Sequence, residues 1–289
     1  MSHKVLVVGG TGMLGLPVAR QLKADGFEVT VMSSNVDRAQ AMFSGEFRLT
    51  TGDVTNIESL KDAIDGQDFV FVNLNASLDP DLYRRLEIDG TANVARVCRE
   101  MGVRRVGNIS GASSRGKEEG IIYLDAKVKA ERAIIESGVP YSIMRPSWFF
   151  ESLPSFIQRG RAAVLGHQPG KFAWLAASDY ARQVSRAFQT EAAANRCFYN
   201  LGPEKMTMMA ALTKFCRRHY PELEPQEVSF KMAGAMAMLP GMKLLKRVIP
   251  FFEYFSTRTE EVDGSDADRI LGPNTTTIDM WLEQYRPPA

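Results

Sequence analysis

The 289-residue sequence is poor in cysteine and in histidine, with three of each. Cys98, Cys197 and Cys216 lie far apart in the chain, which argues against a disulfide framework and against a zinc site built on cysteine. The three histidines show no metal-ligand spacing among themselves. We therefore expect no metal ion, and the low cysteine content suits a reducing, cytoplasmic compartment.

An excess of charge of either sign is also missing, because 35 lysines and arginines stand against 34 aspartates and glutamates. With no basic arm in either half, we expect no binding of nucleic acid. Long apolar runs are lacking as well: the longest uncharged stretch, Met232–Met242, is roughly half the length that spans a bilayer. The apolar run at Val5–Val8 leads directly into glycines, unlike a signal peptide. Neither a transmembrane helix nor a signal peptide is predicted.

The first half of the chain does contain a regular alternation of apolar, strand-like runs with helical patterns. Several of the strand-like runs are nearly all apolar, which is typical of a parallel sheet covered by helices on both faces. Strands are predicted at Lys4–Val8, Glu28–Met32, Phe47–Thr51, Asp68–Asn73, Arg105–Ser110 and Tyr141–Arg145, and helices near 13–24, 35–43, 56–65, 81–101 and 123–137. This order predicts an α/β fold with a Rossmann-type, doubly wound parallel sheet.

After Pro146 the elements become shorter and less regular. The sequence predicts a strand at Phe172–Leu175, a helix with Ser178 as its N-cap, a strand at Cys197–Leu201 and a helix near 207–219. We therefore expect a sheet domain over residues 1–147 and a smaller α+β lobe over residues 148–289, packed on the sheet.

A glycine-rich loop follows the first predicted strand, with Gly9, Gly12 and Gly15 at intervals of three and with Thr11 and Met13 between them. A tight turn needs the first glycine, close approach of a pyrophosphate the second, and packing of helix on strand the third. The pyrophosphate of a dinucleotide then lies on the free N–H groups of the following helix. This loop predicts a dinucleotide site, with a purely structural turn as the alternative.

The end of the second strand lacks the acidic residue that binds the ribose 2′-hydroxyl of NAD. Ser33, Ser34, Asn35 and Arg38 stand there instead, and such side chains suit the 2′-phosphate of NADP. In the alternative interpretation, Ser34 or Asn35 only caps the next helix and Arg38 is a surface charge. NAD then stays possible, with Asp37 as the acidic residue.

Two further strand ends carry candidate cofactor contacts. Asp53 and Val54 follow the third strand, at the edge where an adenine ring would lie, although Asp53 could instead cap the next helix. Asn75, shortly after the fourth strand, is another candidate contact. We predict that these residues contribute to the cofactor site.

Tyr123 and Lys127 are four residues apart in a predicted helix, which places them on one helical face. Hydride transfer to a carbonyl leaves an alkoxide that needs a proton, and a nearby ammonium lowers the free-energy cost of ionising the phenol that supplies it. Lys127 could also bind the ribose hydroxyls next to the nicotinamide. Because the helix follows the fifth strand, the pair would lie at the ligand-binding edge of the sheet.

More of the sequence follows the same order as a known superfamily. The additional matching pieces are Gly90-Thr91-x-Asn93-Val94, Ser110, Ser137-Gly138-Val139-Pro140, Arg145-Pro146-Ser147-Trp148-Phe149, Asp179-Tyr180-Ala181 and Gly202-Pro203-Glu204. With the glycine loop, Asp53 and the Tyr-Lys pair, the chain resembles the short-chain dehydrogenase/reductase superfamily. Within it, the chain is most similar to the atypical branch of NmrA-like and isoflavone-reductase-like proteins.

This resemblance implies an NAD(P)-binding Rossmann domain in which Tyr123 is the general acid/base and Lys127 tunes it and binds the ribose. It also implies that the chain at and after Pro146 approaches the nicotinamide and that the C-terminal lobe forms the substrate pocket. The sequence departs from the family in two places. Ala112 occupies the usual serine position, so that either Ser110, Ser113 or Ser114 serves or the mechanism lacks a serine hydroxyl, and Glu87 replaces an asparagine.

Two apolar segments bear on the substrate and on partners. Trp148, Phe149 and Phe150 follow the sixth strand, where they either line a pocket for an apolar small molecule or form the core of the lobe. A methionine-rich segment, 231–255, carries Lys243, Lys246 and Arg247. Core packing, a lid over the substrate, a contact between two copies of the chain and a helix on a membrane surface are its four interpretations.

The sequence as a whole predicts an NADP(H)-dependent oxidoreductase that transfers hydride to a carbonyl or an activated double bond of an apolar small molecule. A non-catalytic NADP-binding protein that senses redox state or assists assembly is one alternative. An enzyme like the nucleotide-sugar epimerases and dehydratases is another.

Overall fold

A seven-stranded parallel sheet is the centre of the first of two units into which the chain divides in the computed structural model. The structure describes residues 2–74, 76 and 79–287. The first unit comprises Met1–Pro146, Ala177–Asn200 and Gly264–Pro273, and the second comprises Ser147–Ala176, Leu201–Asp263 and Asn274–Ala289.

The sheet consists of strands β1 to β6 and β10, with strands and helices numbered in chain order through both units. These strands are β1 (Lys4–Val8), β2 (Glu28–Ser33), β3 (Arg48–Thr51), β4 (Phe69–Val72), β5 (Arg105–Ile109), β6 (Tyr141–Pro146) and β10 (Arg196–Asn200). They lie in the order β10-β6-β5-β4-β1-β2-β3. Every neighbouring pair is parallel, which confirms the predicted doubly wound sheet.

The helices of the first unit follow the predicted alternation. They are α1 (Gly15–Ala24), α2 (Val36–Phe43), α3 (Ile57–Ile64), α4 (Pro80–Leu82), α5 (Thr91–Glu100), α6 (Ile122–Ser137), α7 (Ala177–Gln189) and α11 (Ser265–Leu271). A π-helical segment, Tyr83–Gly90, joins α4 to α5, and a short 3-10 helix covers Glu191–Ala193. The single helix expected near 81–101 is therefore interrupted by π-helical turns.

Two details of the prediction are corrected. The first helix begins at Gly15 rather than near residue 13, because the glycine loop continues as turns up to Leu14. The helix expected to be capped by Ser178 begins at Ala177, so Ser178 lies inside its first turn and does not precede it.

The core of the first unit explains why the strands are apolar at consecutive positions. Val5 to Val8 of β1 are at most 1% exposed, since helices cover both faces of the sheet. On one face Leu6 and Val8 pack with Val70 and Val72 of β4 in a cluster that also includes residues of α3 and α5. Burial of this kind is the main stabilisation of such a unit.

The second unit is built from short elements around an aromatic core. Its elements are a 3-10 helix (Phe150–Phe156), β7 (Ile157–Gln158), β8 (Arg161–Leu165), β9 (Phe172–Trp174), β11 (Glu204–Met206), α8 (Met208–His219), β12 (Gln226–Val228), α9 (Phe230–Met236), α10 (Lys243–Ser256) and α12 (Ile278–Gln284). Strands β9 and β11 pair antiparallel, and β12, β8 and β7 form a second small sheet. In the part of the chain that is described, no helix is long and apolar enough to cross a membrane.

Candidate functional site

The glycine loop lies where the winding of the sheet changes direction. From β1 the chain builds β2 and β3 on one side, and then returns to build β4, β5 and β6 on the other side. Gly9 follows β1 and Asn73 follows the adjacent β4, and the Asn73 side-chain amide donates a hydrogen bond to the Gly9 carbonyl at 3.3 Å. Ligands of such sheets bind at the carboxyl ends of the strands at this switch point.

Gly9, Gly12 and Gly15 differ in the space that a side chain would have at each position. Gly9 has a φ of +80°, and a Cβ there would lie 2.2 Å from the carbonyl oxygen of Asn73. A Cβ on Gly15 would lie 2.2 Å from the carbonyl oxygen of Gly9. At Gly12 the nearest atom would be 3.5 Å away, an ordinary contact. Packing therefore requires glycine at positions 9 and 15. Gly12 is exposed, and its lack of a side chain allows a pyrophosphate to approach the backbone closely.

Helix α1 begins directly after this opening. Its first turn, from Gly15 to Val18, contains no acidic residue. The N–H groups of Leu16 and Val18 donate to the carbonyls of Gly12 and Leu14, so the positive end of the helix continues into the loop. Thr11 is half-buried and Met13 is exposed at the rim of the loop. These residues therefore fit the pyrophosphate of a dinucleotide.

The end of β2 combines a helix cap with exposed polar groups. The Asn35 side chain accepts a hydrogen bond from the backbone N–H of Arg38 at 2.9 Å, so the capping role considered for Asn35 is present. The Ser33 hydroxyl donates to the carbonyl of Asn35 at 2.9 Å. The side chains of Ser34 and Arg38 are exposed.

The end of β3 is held by hydrogen bonds within its own loop. The Asp53 carboxylate accepts from the backbone N–H and the hydroxyl of Thr55, both at 2.8 Å, and these bonds lower the pKa of Asp53. Helix α3 is capped by Asn56, not by Asp53. The carbonyl of Val54 accepts from the side chain of Asn93 at 3.0 Å. Asn75, another predicted contact, lies outside the described residues.

Tyr123 and Lys127 of α6 face a second pair of residues with the same spacing, Tyr83 and Glu87 of the π-helical segment. The Tyr83 and Tyr123 rings meet edge to face, with centroids 5.0 Å apart. The Lys127 ammonium donates to the Glu87 carboxylate, with Nζ and Oε2 2.7 Å apart. We call these four residues the tyrosine–ion-pair array, and π-helical turns such as this one are frequent at functional sites.

The ion pair of this array is largely buried. The side chain of Glu87 is 4% exposed and that of Lys127 is 19% exposed, so that each charge depends on the other for compensation. Burial, and next the charge of Glu87, raise the pKa of Tyr83, which therefore stays a neutral phenol. Sequence reasoning noted Glu87 only as a departure from the family, although the matched four-residue spacings in the two helices could have indicated the pairing.

The serine candidates follow β5. Ser110 and Ser114 are buried, and neither hydroxyl has a hydrogen-bond partner among the residues that the structure describes. A buried hydroxyl without a partner costs roughly 1–3 kcal/mol, which is why such groups often belong to a site. The half-buried Ser113 lies between Ala112 and Ser114.

Pro146 ends β6 beside this serine loop. Its side chain is buried, and its carbonyl accepts a hydrogen bond from the N–H of Ala112 at 2.8 Å. The serine loop and the end of β6 are thereby joined. A cofactor contact at Pro146 stays a prediction.

Trp148, Phe149 and Phe150 belong to the aromatic core of the second unit. Phe150 is fully buried and stacks on Trp174, with centroids 6.2 Å apart and an interplanar angle of 8°. Trp148 is half-buried and its ring contacts Phe255 of α10 at 5.5 Å. Phe150 thus has the core position that the sequence left open, while substrate contact by any of the three stays a prediction.

Metal ligands do not gather anywhere in the described residues: no group of three or more His, Cys, Asp or Glu side chains could hold an ion.

Known proteins resemble this chain in sequence and in fold. A family model described as NAD(P)H-binding matches residues 9–170. An uncharacterised chloroplast protein of Arabidopsis thaliana is 29% identical over 164 residues, which cover 50% of this chain and 59% of that protein. The photosystem II assembly factor Ycf39 of Synechocystis sp. is 21% identical to this chain. That match covers 98% of this chain and 90% of the Synechocystis protein.

Among solved structures, the triphenylmethane reductase of Citrobacter sp. in complex with NADP(H) is similar to this fold. Its TM-score is 0.75 at 18% sequence identity, with 97% of this chain and 99% of that chain covered. A structure at this identity supports the fold alone. The family match spans more than half of the sequence, and the expected NAD(P)-binding Rossmann family is confirmed. The chain therefore belongs to the NAD(P)H-binding family that this model describes, and its fold is that of a Rossmann-type protein.

Proposed function

We propose that this protein is an NADP(H)-dependent oxidoreductase that transfers hydride to a carbonyl or an activated double bond of an apolar small molecule. The observation that carries the proposal is that the open glycine loop and the Tyr123–Lys127 pair belong to one edge of one sheet. Strand β4 alone separates β1 from β5, so the loops that follow β1 and β5 start about 10 Å apart. That distance suits a ligand whose pyrophosphate lies over β1 and whose reactive ring lies over β5.

NADP is preferred to NAD because the end of β2 offers Ser34 and Arg38 and no carboxylate at the usual position. An exposed guanidinium can pair with a phosphate through two parallel hydrogen bonds. We expect Arg38→Ala to weaken NADPH binding about tenfold, on the basis of one lost charge-assisted contact, and to leave NADH binding unchanged. Calorimetric titration of both cofactors measures this, and tighter binding of NADH by the unaltered protein would contradict the preference.

In the proposed reaction the bound cofactor supplies the hydride. Tyr123 donates a proton to the product oxygen or carbon, and the edge-to-face contact with Tyr83 holds its ring in one orientation. Lys127 binds the nearby ribose hydroxyls. Its ion pair with Glu87 fixes the ammonium in place and offsets part of its charge. Ser110 and Ser114 hold the two buried hydroxyls that are available to the substrate oxygen.

Aromatic side chains indicate the class of the substrate. Trp148 and Phe149 are the aromatic candidates for contact with an apolar substrate. The Citrobacter relative is by name a reductase of triphenylmethane, which is an aromatic compound. An assay with a panel of carbonyl compounds and enones, in which the decrease in NADPH absorbance is measured, identifies the class of compound that the protein reduces.

A second candidate function is a non-catalytic NADP-binding protein that assists assembly of a partner complex. Two observations favour it: the similarity to Ycf39 extends along nearly the whole chain, and Glu87 offsets the charge of Lys127.

The experiment that separates the two functions compares the unaltered protein with Tyr123→Phe. The oxidoreductase requires turnover that Tyr123→Phe abolishes while NADPH affinity is retained. Stoichiometric NADPH binding without oxidation of the cofactor across the whole panel would reject the oxidoreductase and support the assembly protein.

A further inference from the structure

The most exposed large apolar side chains of the described residues lie in one helical hairpin. We define the methionine-rich hairpin as residues 230–252, which comprise α9, its connection to α10 and most of α10. The four most exposed large apolar side chains in the described part of the chain are all in it: Met232, Met238, Leu239 and Leu244, at 56%, 82%, 58% and 56%. Exposure is greatest at Met238 and Leu239, in the connection between the helices.

The base of this hairpin is held in the second unit. Phe251 and Phe252 of α10 contact the ring of Trp148, with centroids 5.8 and 6.3 Å apart. In α9, Ala233 is fully buried while its neighbour Met232 points outward. The hairpin is therefore anchored at one end and presents apolar side chains at the other, which is not the arrangement of a core segment.

The charge of the hairpin differs from that of the rest of the chain. Residues 230–252 contain Lys231, Lys243, Lys246 and Arg247 and no aspartate or glutamate, whereas the whole chain is almost neutral. Lys231 and Lys246 are exposed, one in each helix. An apolar tip flanked by basic residues has the composition of segments that bind anionic lipid surfaces, and an apolar groove of a protein partner would not require the basic flank.

We propose that the tip of the methionine-rich hairpin inserts into the headgroup region of an anionic lipid bilayer, with Lys231 and Lys246 next to the lipid phosphates. Met238 and Leu239 supply the buried apolar surface. The ammonium groups of Lys231 and Lys246 keep their hydration and their contacts with phosphate only at the level of the headgroups. Insertion therefore stops at the interface and does not reach the hydrocarbon centre. This inference is independent of the proposed chemistry.

Co-sedimentation of the full chain with lipid vesicles tests the proposal. Vesicles of phosphatidylcholine with phosphatidylglycerol are compared with vesicles of phosphatidylcholine alone, at low and at high salt. We expect binding to the anionic vesicles that high salt weakens. Because each basic residue near an anionic surface contributes about fivefold to partitioning, Lys231→Gln/Lys246→Gln should lower binding roughly 25-fold.

A pair of matched variants distinguishes insertion of the tip from non-specific binding of exposed apolar side chains. Met238→Glu/Leu239→Glu changes the tip, and Met42→Glu/Met101→Glu changes two exposed methionines elsewhere in the chain. The partition coefficient of the tip variant should fall at least tenfold, because two apolar side chains no longer insert. The partition coefficient of the control variant should stay unchanged. Thermal unfolding by circular dichroism verifies that both are folded.

Three outcomes would overturn the proposal. The first is absence of binding by the folded, unaltered protein, and the second is equal loss of binding in the tip variant and its control. The third is a change from dimer to monomer in the tip variant, measured by sedimentation velocity, without any vesicle binding by the unaltered protein. That result would assign the tip to a contact between two copies of the chain.

Discussion

Removing the charge of Glu87 is the most informative single perturbation of this protein, because Glu87 is the buried partner of Lys127. Glu87→Gln keeps the shape of the side chain and a carbonyl oxygen that can accept from the ammonium at the present distance of 2.7 Å. Only the negative charge is lost. Any effect therefore reports on the ion pair and not on a cavity.

The expected loss of stability follows from the burial of the pair. Leaving one partner of a fully buried pair uncompensated costs about 3–5 kcal/mol. Lys127 keeps 19% of its side chain in contact with solvent, and glutamine retains a hydrogen bond, so we expect about 2 kcal/mol for Glu87→Gln. In a chain of this size that corresponds to a decrease of roughly 3 °C in Tm.

A double-mutant cycle with Lys127→Met isolates the interaction. The double variant should recover most of the stability that either single variant loses, because a buried ion pair can be replaced by neutral side chains at little cost. Urea denaturation of the four proteins measures the coupling energy, which we expect to be about 2 kcal/mol. A coupling energy below about 0.5 kcal/mol would refute the inference that the two charges depend on each other.

Glu131→Gln is the matched control for the effect on activity. Glu131 lies on α6, the helix of Lys127, and its side chain is 4% exposed. It pairs with Arg145, with Nη2 and Oε2 2.5 Å apart. Both variants should lose stability, but only Glu87→Gln leaves an uncompensated ammonium one turn from the phenol of Tyr123. Since a positive charge favours the phenolate, the alkaline limb of the rate profile should move to lower pH in Glu87→Gln alone. The same shift in both variants would contradict the proposed role of the array.

Three further predictions concern separate parts of the molecule. Gly12→Ala should unfold at nearly the same temperature as the unaltered protein yet lose at least tenfold in NADPH affinity, whereas Gly15→Ala should be destabilised because its Cβ would meet the Gly9 carbonyl at 2.2 Å. Phe150→Ala should cost about 3–5 kcal/mol in urea denaturation, since the ring is fully buried against Trp174. The bonds from Thr55 lower the pKa of Asp53 below 3.8, so their stabilisation is present above that pH and is lost as pH falls through the folded-state value. Asp53→Asn should therefore differ from the unaltered protein by less than about 1 kcal/mol at neutral pH, and the difference should shrink in acid.

The parallel sheet and the glycine loop could be predicted from short stretches of sequence. All six strands expected in the first half are present within a few residues, because apolar runs of five or six residues between helical patterns have few other arrangements. The glycine spacing predicted an open loop, and the close approach of Gly9 to Asn73 gives the steric reason. These features depend on neighbours along the chain.

Contacts between distant segments were decided only by the tertiary structure. Strand β10 starts 50 residues after β6 ends, yet pairs with it as the last strand of the sheet. Glu87 and Lys127 are 40 residues apart and meet because the π-helical segment packs on α6. Local periodicity determined which segments are helices and strands and where a phosphate can approach. Which side chain compensates Lys127, and which hydroxyls are left without a partner, depended on packing between elements that no local pattern encodes.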